Sequence, residues 1–172
     1  MFRPFDVAWL CVLLLLPAGC SRAPLPRLAE RPAPSRLAGG ARVASIAVRA
    51  DPDQLSEAQR ARLQRHAVTA LVRQSALDWL DAGGRLAADG DLALRVEIRT
   101  LRLRGSLAAR LLGRAAGADQ LGAQVWILRD GAVIDGYEVR VASALGGRDW
   151  KDPAERLARL AHILGRRVAE GL

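Results

Sequence analysis

Residues 91–99 read Asp-Leu-Ala-Leu-Arg-Val-Glu-Ile-Arg, and this stretch decides the fold. Apolar and polar side chains alternate along it, which is typical of a β-strand that buries one of its two faces. The apolar positions are Leu92, Leu94, Val96 and Ile98. Leu101 and Leu103 continue the apolar pattern on the opposite parity. We therefore expect a β-bulge near Thr100, because a bulge would keep the same face buried.

Upstream of this strand, the sequence predicts another strand and a long helix. Arg42–Ala50 is a short β-type run that ends at Asp51-Pro52. Ser56 and Gln59 have the spacing of a capping box, and the helix that follows is predicted to end near Asp81. The apolar residues expected to face the sheet are Leu63, Ala67, Val68, Ala70, Leu71, Val72, Leu77 and Trp79. A further short strand is predicted at Arg85–Ala88.

Downstream, the sequence predicts an excursion and then a hairpin. Ser106–Ala118 carries arginines and glycines among its leucines, which favours a flexible excursion or a short helix. Leu121–Arg129 and Ala132–Ala142 are predicted strands, and Asp130-Gly131 between them is typical of a two-residue hairpin turn. Within the second of these strands, we expect Gly136 to mark an irregularity.

The last predicted element is a helix from Asp152-Pro153-Ala154-Glu155 to about Glu170. Its apolar stripe is Leu157, Leu160, Ala161, Leu164 and Val168. This stripe should pack on the sheet beside the first helix. The predicted fold class is α+β, with a mixed, mainly antiparallel sheet and two helices packed on one face.

The first residues have the features of a lipoprotein signal peptide, predicted to span residues 1–19. Val7–Leu16 is an apolar run too short to span a bilayer. Leu16-Pro17-Ala18-Gly19-Cys20 follows it and resembles the lipobox of bacterial lipoproteins, with Pro17 where leucine is usual. The resemblance implies that Cys20 becomes the lipidated first residue of the mature protein. The alternative is an ordinary secretory signal with Cys20 as an incidental thiol.

The mature chain is predicted to have a tether and one domain. Residues 20–41 comprise the lipidated cysteine and a Pro-rich tether, and residues 42–172 form a single periplasmic domain of roughly 130 residues. By resemblance to proteobacterial lipoproteins, Ser21 implies sorting to the periplasmic face of the outer membrane. Cys20 is the only cysteine left after cleavage, so an intramolecular disulfide is impossible in the mature chain.

No pattern in the sequence nominates catalytic, cofactor-binding or metal-binding residues, and we expect a protein that is not an enzyme. His66 and His162 are the only histidines, and neither has a second ligand at metal-binding spacing. The mature aromatic residues are too few and too dispersed to stack on single-stranded nucleic acid. We therefore expect no cofactor, no metal and no nucleic-acid partner.

A family resemblance rests on Gly105-Ser106, Arg110, Gly113 and Gly117, together with the run 122–130 that leads into the Asp-Gly turn. In these residues the chain resembles an uncharacterised bacterial lipoprotein family, labelled domain of unknown function 4410. The layout is also similar to small periplasmic α/β lipoproteins such as activators of penicillin-binding proteins. These resemblances imply a binding or scaffolding role in the cell envelope.

Three functions stay open at this point. The first is a non-enzymatic lipoprotein, anchored in the membrane through Cys20, that binds an envelope protein or scaffolds an assembly. The second is a binder of anionic cell-wall or lipopolysaccharide groups, favoured by the formal net charge of +8. Its expected ligand face is Arg95, Arg99, Arg102 and Arg104. The third is a small envelope hydrolase with residues too scattered to recognise.

Overall fold

In the residues that the structure describes, four strands form one sheet, and alternation of apolar and polar residues decides which side of it is buried. The strands are β1 (Val43–Ala50), β2 (Leu92–Arg102), β3 (Asp119–Arg129) and β4 (Ala132–Ser143). They lie in the order β1-β2-β3-β4, with β1 parallel to β2 and the other neighbours antiparallel. The α+β class with a mixed, mainly antiparallel sheet is confirmed. The computed structural model describes residues 40–105, 117–143 and 152–172.

β2 is the central strand that the alternation predicted. Its four apolar residues from Leu92 to Ile98 are at most 1% exposed and lie on the side of the helices. The register with β3 shifts between Ile98 and Thr100, which leaves Arg99 without a partner residue in β3. Leu101 then returns to the buried side at 6% exposed. The predicted bulge is confirmed.

The β3–β4 hairpin has the predicted turn. Asp130 and Gly131 have φ angles of 51° and 81°, which is the left-handed backbone that a type I′ turn requires. The second irregularity lies at Ile134 rather than at Gly136, because Ile127 pairs with Asp135 while the next residue, Leu128, pairs with Val133. Gly136 stays in register, where an added Cβ would lie 3.0 Å from the carbonyl oxygen of Val125.

In the described part of the chain, three helices pack against the sheet, namely α1 (Glu57–Arg65), α2 (Val68–Ala82) and α3 (Pro153–Glu170). The prediction of one long first helix is wrong, because the chain breaks at Ala67 with a φ of 49°. Leu63 and Val68 are both at most 1% exposed. A continuous helix would set these two side chains about 140° apart around its axis. The break lets α1 bury Leu63 while α2 turns its own apolar side toward the core.

The break also changes which residues of this region are buried. The buried residues of α2 are Val68, Val72, Ser75, Ala76 and Leu80. Ala67 and Ala70 are exposed, and Leu71 and Leu77 are only partly buried. Trp79, expected to face the sheet, is 48% exposed. The expected stripe is therefore correct only in part.

The predicted strand at Arg85–Ala88 reduces to one bridge between Leu86 and Val43. The amide of Val43 donates to the carbonyl of Arg85 at 2.8 Å, and the amide of Ala87 donates to the carbonyl of Val43 at 3.1 Å. This segment therefore covers the start of the outer edge of β1.

α3 begins and ends as predicted. The Asp152 side chain accepts from the amide of Ala154 at 3.0 Å, and the buried residues include all five of the predicted stripe. α3 packs on α2 at Gly165, where an added Cβ would lie 2.5 Å from the carbonyl oxygen of Val72. A glycine is therefore required for the two helices to come this close.

A buried charge cluster ties one end of the sheet to α3. The Asp119 carboxylate accepts from the backbone amide of Arg104 at 2.8 Å and from Nη1 of Arg156 at 2.9 Å. Arg156 also donates through Nη2 to the carbonyl of Arg104 at 3.2 Å. All three residues are at most 6% exposed. The cluster joins the chain after β2, the start of β3 and the first turn of α3.

Several expectations concern residues outside the described ranges. These are the signal peptide 1–19, Cys20, the tether up to residue 39 and all but the last two residues of the Ser106–Ala118 excursion. In the ranges that are described, no helix is long and apolar enough to cross a membrane.

We predict that Asp119→Ala lowers the free energy of unfolding by about 3–5 kcal/mol, because two buried guanidinium groups lose their shared carboxylate. Urea denaturation of the purified chain measures this loss. The matched control is Asp91→Ala, which removes a pair with Arg129 in which both side chains are about half exposed, and should cost less than about 1 kcal/mol. Equal losses in the two variants would contradict a structural role for the cluster.

Candidate functional site

The side of the sheet that points away from the helices is the candidate site, and we call it the open face. In the described strands it carries polar and charged side chains where the other side carries the core. Its principal residues are Ala47, Arg49, Arg95, Glu97, Arg99, Gln124, Trp126, Glu138 and Arg140.

Ion pairs organise the part of the open face on β1 and β2. Arg49 donates through Nε to the Glu97 carboxylate at 2.8 Å and also contacts it through Nη2. Arg99 approaches the other oxygen of Glu97 at 3.7 Å. Glu97 is consequently only 7% exposed although it lies on the open face. Arg49 and Arg99 together therefore cover the Glu97 carboxylate.

Arg99 also joins the site to an aromatic ring. Its guanidinium carbon lies 5.1 Å from the centroid of the Trp126 ring, within the range of a cation–π interaction. Arg99 is the residue that the β2 bulge leaves unpaired. The bulge thus supplies a cation that bridges Glu97, Trp126 and the turn after β1.

That turn contributes Asp51, which is 6% exposed. Its Oδ1 accepts from the backbone amides of Asp53 at 2.9 Å and Gln54 at 3.3 Å, and its Oδ2 accepts from Nε of Arg99 at 3.1 Å. The bond from Asp53 is the main reason that the pKa of Asp51 lies below its ordinary value of 3.8, and Arg99 acts in the same direction. The charged carboxylate therefore holds Arg99 in place at neutral pH.

The structure separates the four arginines expected to form a ligand face. Arg95 and Arg99 lie on the open face, and Arg102 follows on the same side of β2 after the bulge. Placing Arg104 on this face is wrong, because Arg104 lies beyond the end of β2 and is buried against Asp119. Binding of an anionic ligand by the other three stays a prediction.

The sequence interpretation missed three residues that organise the structure, namely Trp126, Asp119 and Arg156. The sequence gives little indication that Trp126 lies on the open face, because a tryptophan in an apolar strand is equally typical of the core. Asp119 gives a usable signal, since an acidic residue directly before an apolar strand must find a partner once it is buried. For Arg156, which follows the helix cap, the sequence gives no indication of burial, since arginine in the first turn of a helix is usually exposed.

A shallow cavity of about 290 Å³ between α2 and α3 brings together Ser75, Asp78 and His162. Residues of these types could form a hydrolase triad, but their hydrogen bonds differ from one. The Ser75 hydroxyl donates to the backbone carbonyl of His162 at 2.9 Å, and Oδ1 of Asp78 accepts from Gln74. The described residues also contain no group of three acidic, histidine or cysteine side chains that could hold a metal ion.

Comparisons with known proteins found similar solved structures only. No family model and no curated protein matches the chain, so the resemblance to the family labelled 4410 stays a prediction. A PelC L103M dodecamer from Paraburkholderia phytofirmans is similar at 14% identity and a TM-score of 0.45, over 81% of this chain and 97% of that one. The PelC dodecamer in another crystal form has 15% identity and a TM-score of 0.43, over 81% and 96%.

A Xanthomonas campestris protein, described as a member of domain-of-unknown-function family 330, is also similar. It has 15% identity and a TM-score of 0.49, over 75% of this chain and 81% of that one. Because all three TM-scores are below 0.5, these likenesses assign neither an activity nor an assembly state to this chain.

We predict that Asp51→Asn removes part of the pH dependence of stability. The folded carboxyl has a lowered pKa, so its contribution is present above the unfolded value and is lost as pH falls through the folded value. The wild type should therefore be more stable than Asp51→Asn at neutral pH, and the difference should shrink as pH falls below about 4. Urea denaturation at several pH values, with the exposed Asp53→Asn as control, measures it. A difference that stays constant with pH would contradict the prediction.

Proposed function

We propose that the chain is a non-enzymatic, lipid-anchored lipoprotein of the cell envelope whose domain binds a partner protein through its open face. The observation that carries the proposal is the set of fixed side chains around Arg99, which contacts Glu97, Asp51 and the Trp126 ring. Arginine and tryptophan are the residues that most often dominate the binding energy of protein interfaces. Side chains already held in place lose little conformational entropy when a partner binds.

The anchor is the second part of the proposal, and the lipobox around Cys20 supports it. Acylation of Cys20 and a tether over residues 20–41 would hold the domain beside the membrane. Sorting to the periplasmic face of the outer membrane rests on Ser21. The absence of enzymatic activity is proposed because no motif nominates catalytic residues and because Ser75 donates to a backbone carbonyl rather than to a histidine ring.

Binding of anionic cell-wall or lipopolysaccharide groups is the second candidate function for the same face. Arg95 and Arg102 are exposed, and neither has a carboxylate partner among the described residues. These two cations remain available for phosphate or carboxylate groups, whereas Arg49 and Arg99 are already paired with acidic side chains. Such binding should weaken steeply as salt concentration rises.

We predict that cells fed labelled palmitate incorporate the label into the wild-type chain and not into Cys20→Ala, because a thiol must carry the lipid. Gel fluorography of the purified chain measures incorporation. Cys11→Ser is the matched control, since Cys11 lies within the expected signal peptide, and it should label like the wild type. Label in Cys20→Ala equal to that in the wild type would contradict the anchor.

For the binding surface, we predict that a photoreactive amino acid at Ala47 crosslinks to a protein in native envelopes. Ala47 is exposed and lies opposite Arg95 in the β1–β2 register. Ala70 is exposed on α2 and is the control position. The proposal predicts a protease-sensitive adduct from Ala47 only. The same adducts from both positions, or none from Ala47, would contradict it.

The same experiment separates the two candidate functions. A protease-resistant adduct that contains lipopolysaccharide or wall polymer, and that is lost in Arg95→Gln/Arg102→Gln, would replace the partner protein by an anionic polymer. Arg62→Gln/Arg65→Gln removes the same charge from exposed positions on α1 and should leave that adduct unchanged.

A further inference from the structure

The outer edge of β4 faces no other strand in the part of the chain that the structure describes. An edge strand presents unpaired N–H and C=O groups, which proteins usually protect with charges, proline, bulges or a covering segment. β4 has 12 residues and no proline, and its register with β3 shifts only beside the hairpin turn. From Asp135 to Ser143 it is therefore a regular edge that another strand can join.

The opposite edge of the sheet is closed by the chain itself. The segment around Leu86 bonds to Val43 at the start of β1. Farther along, Nε of Arg73 on α2 donates to the carbonyl of Ile46 at 3.0 Å. Among the described residues, no other segment of the chain covers β4 in this way. Within β4 itself, the amide of Gly136 donates to Oδ1 of Asp135 at 2.7 Å.

We infer that two copies of this chain pair through the outer edges of their β4 strands, in antiparallel orientation about a two-fold axis at Val139. Within one chain, Nε of Arg140 donates to Oε1 of Glu138 at 2.7 Å. In this register Glu138 also lies opposite Arg140 of the second copy, and Arg140 lies opposite its Glu138. Tyr137 lies opposite Val141 on the helix side. Every facing pair therefore matches in charge or polarity, and cross-strand pairs of this kind stabilise a sheet.

Neighbouring registers are disfavoured by the same residues. An axis at Glu138 or at Arg140 would place like charges directly opposite each other. A slip of one residue would place the charged side chains opposite the apolar ones, because successive residues of a strand point to opposite faces. Within the regular part of β4, the axis at Val139 is the one that sets Glu138 opposite Arg140.

The helices leave room for this partner. α3 contacts both β3 and β4. If the helix axis of α3 lies midway between these two strands, it would be about 10 Å from the axis of α3 in the second copy, which is a normal distance for packed helices.

Pairing would join the two sheets into one and place both open faces on the same side. The inference stands apart from the proposed function, because it depends on the β4 edge rather than on what the open face binds.

The test is the mass of the full chain in detergent micelles, measured by analytical ultracentrifugation. The wild type should form a dimer. Glu138→Arg and Arg140→Glu should each raise the dimer dissociation constant at least tenfold, because each places two like-charged pairs in the interface. An equimolar mixture of these two variants should dimerise again, and so should the double variant Glu138→Arg/Arg140→Glu, since both restore opposite charges.

Folding controls distinguish the loss of the dimer from the loss of the fold. Both side chains are well exposed, at 49% and 73%, so near-ultraviolet circular dichroism should be unchanged in every variant. Arg62→Glu on the exposed side of α1 makes the same charge change away from β4 and should leave the dimer intact. A wild type that is monomeric at every concentration, single reversals that keep the wild-type mass, or a double variant that stays monomeric would each overturn the inference.

Discussion

Among the described residues, helices pack against one side of the sheet and not the other, and the rest of the structure depends on this asymmetry. The apolar side chains of β2 reach the core because they alternate with polar ones, and the bulge after Ile98 preserves that alternation to the end of the strand. The same bulge leaves Arg99 without a partner residue in β3. The Arg99 side chain lies on the open face, where it contacts Asp51 and the Trp126 ring. The β2 bulge, which keeps the apolar residues on the core side, therefore also positions Arg99, the central cation of the open face.

The buried charge cluster fixes how α3 enters this arrangement. Asp119 accepts bonds from two arginines that come from different parts of the chain. Burying three ionised groups gains little net stability compared with apolar residues of similar size. Their hydrogen bonds are directional, however, so the cluster selects one position for the first turn of α3 relative to β3. Close packing at Gly165 then fixes α3 against α2.

Strict periodicity made much of the fold predictable. The central strand, its bulge, the Asp130-Gly131 turn and the capped last helix each follow from a local pattern whose physical cause is short-range. The break at Ala67 could not be predicted. It allows both Leu63 and Val68 to be buried, and only the three-dimensional packing shows that one continuous helix cannot bury both. The open face was predicted through Arg95, Arg99 and Arg102. Arg104 was misplaced because its partner, Asp119, is distant in sequence, and Trp126 gave no signal that distinguishes a binding residue from a core residue.

The central claim is that the open face, rather than the helix layer, meets a partner in the envelope. Hydroxyl-radical footprinting tests this directly through two tryptophans, Trp126 on the open face and Trp79 on α2. The account predicts that oxidation of Trp126 is markedly slower in native envelopes than in the purified chain, while oxidation of Trp79 is the same in both. Equal oxidation of Trp126 in the two samples, or protection of Trp79 alone, would contradict it.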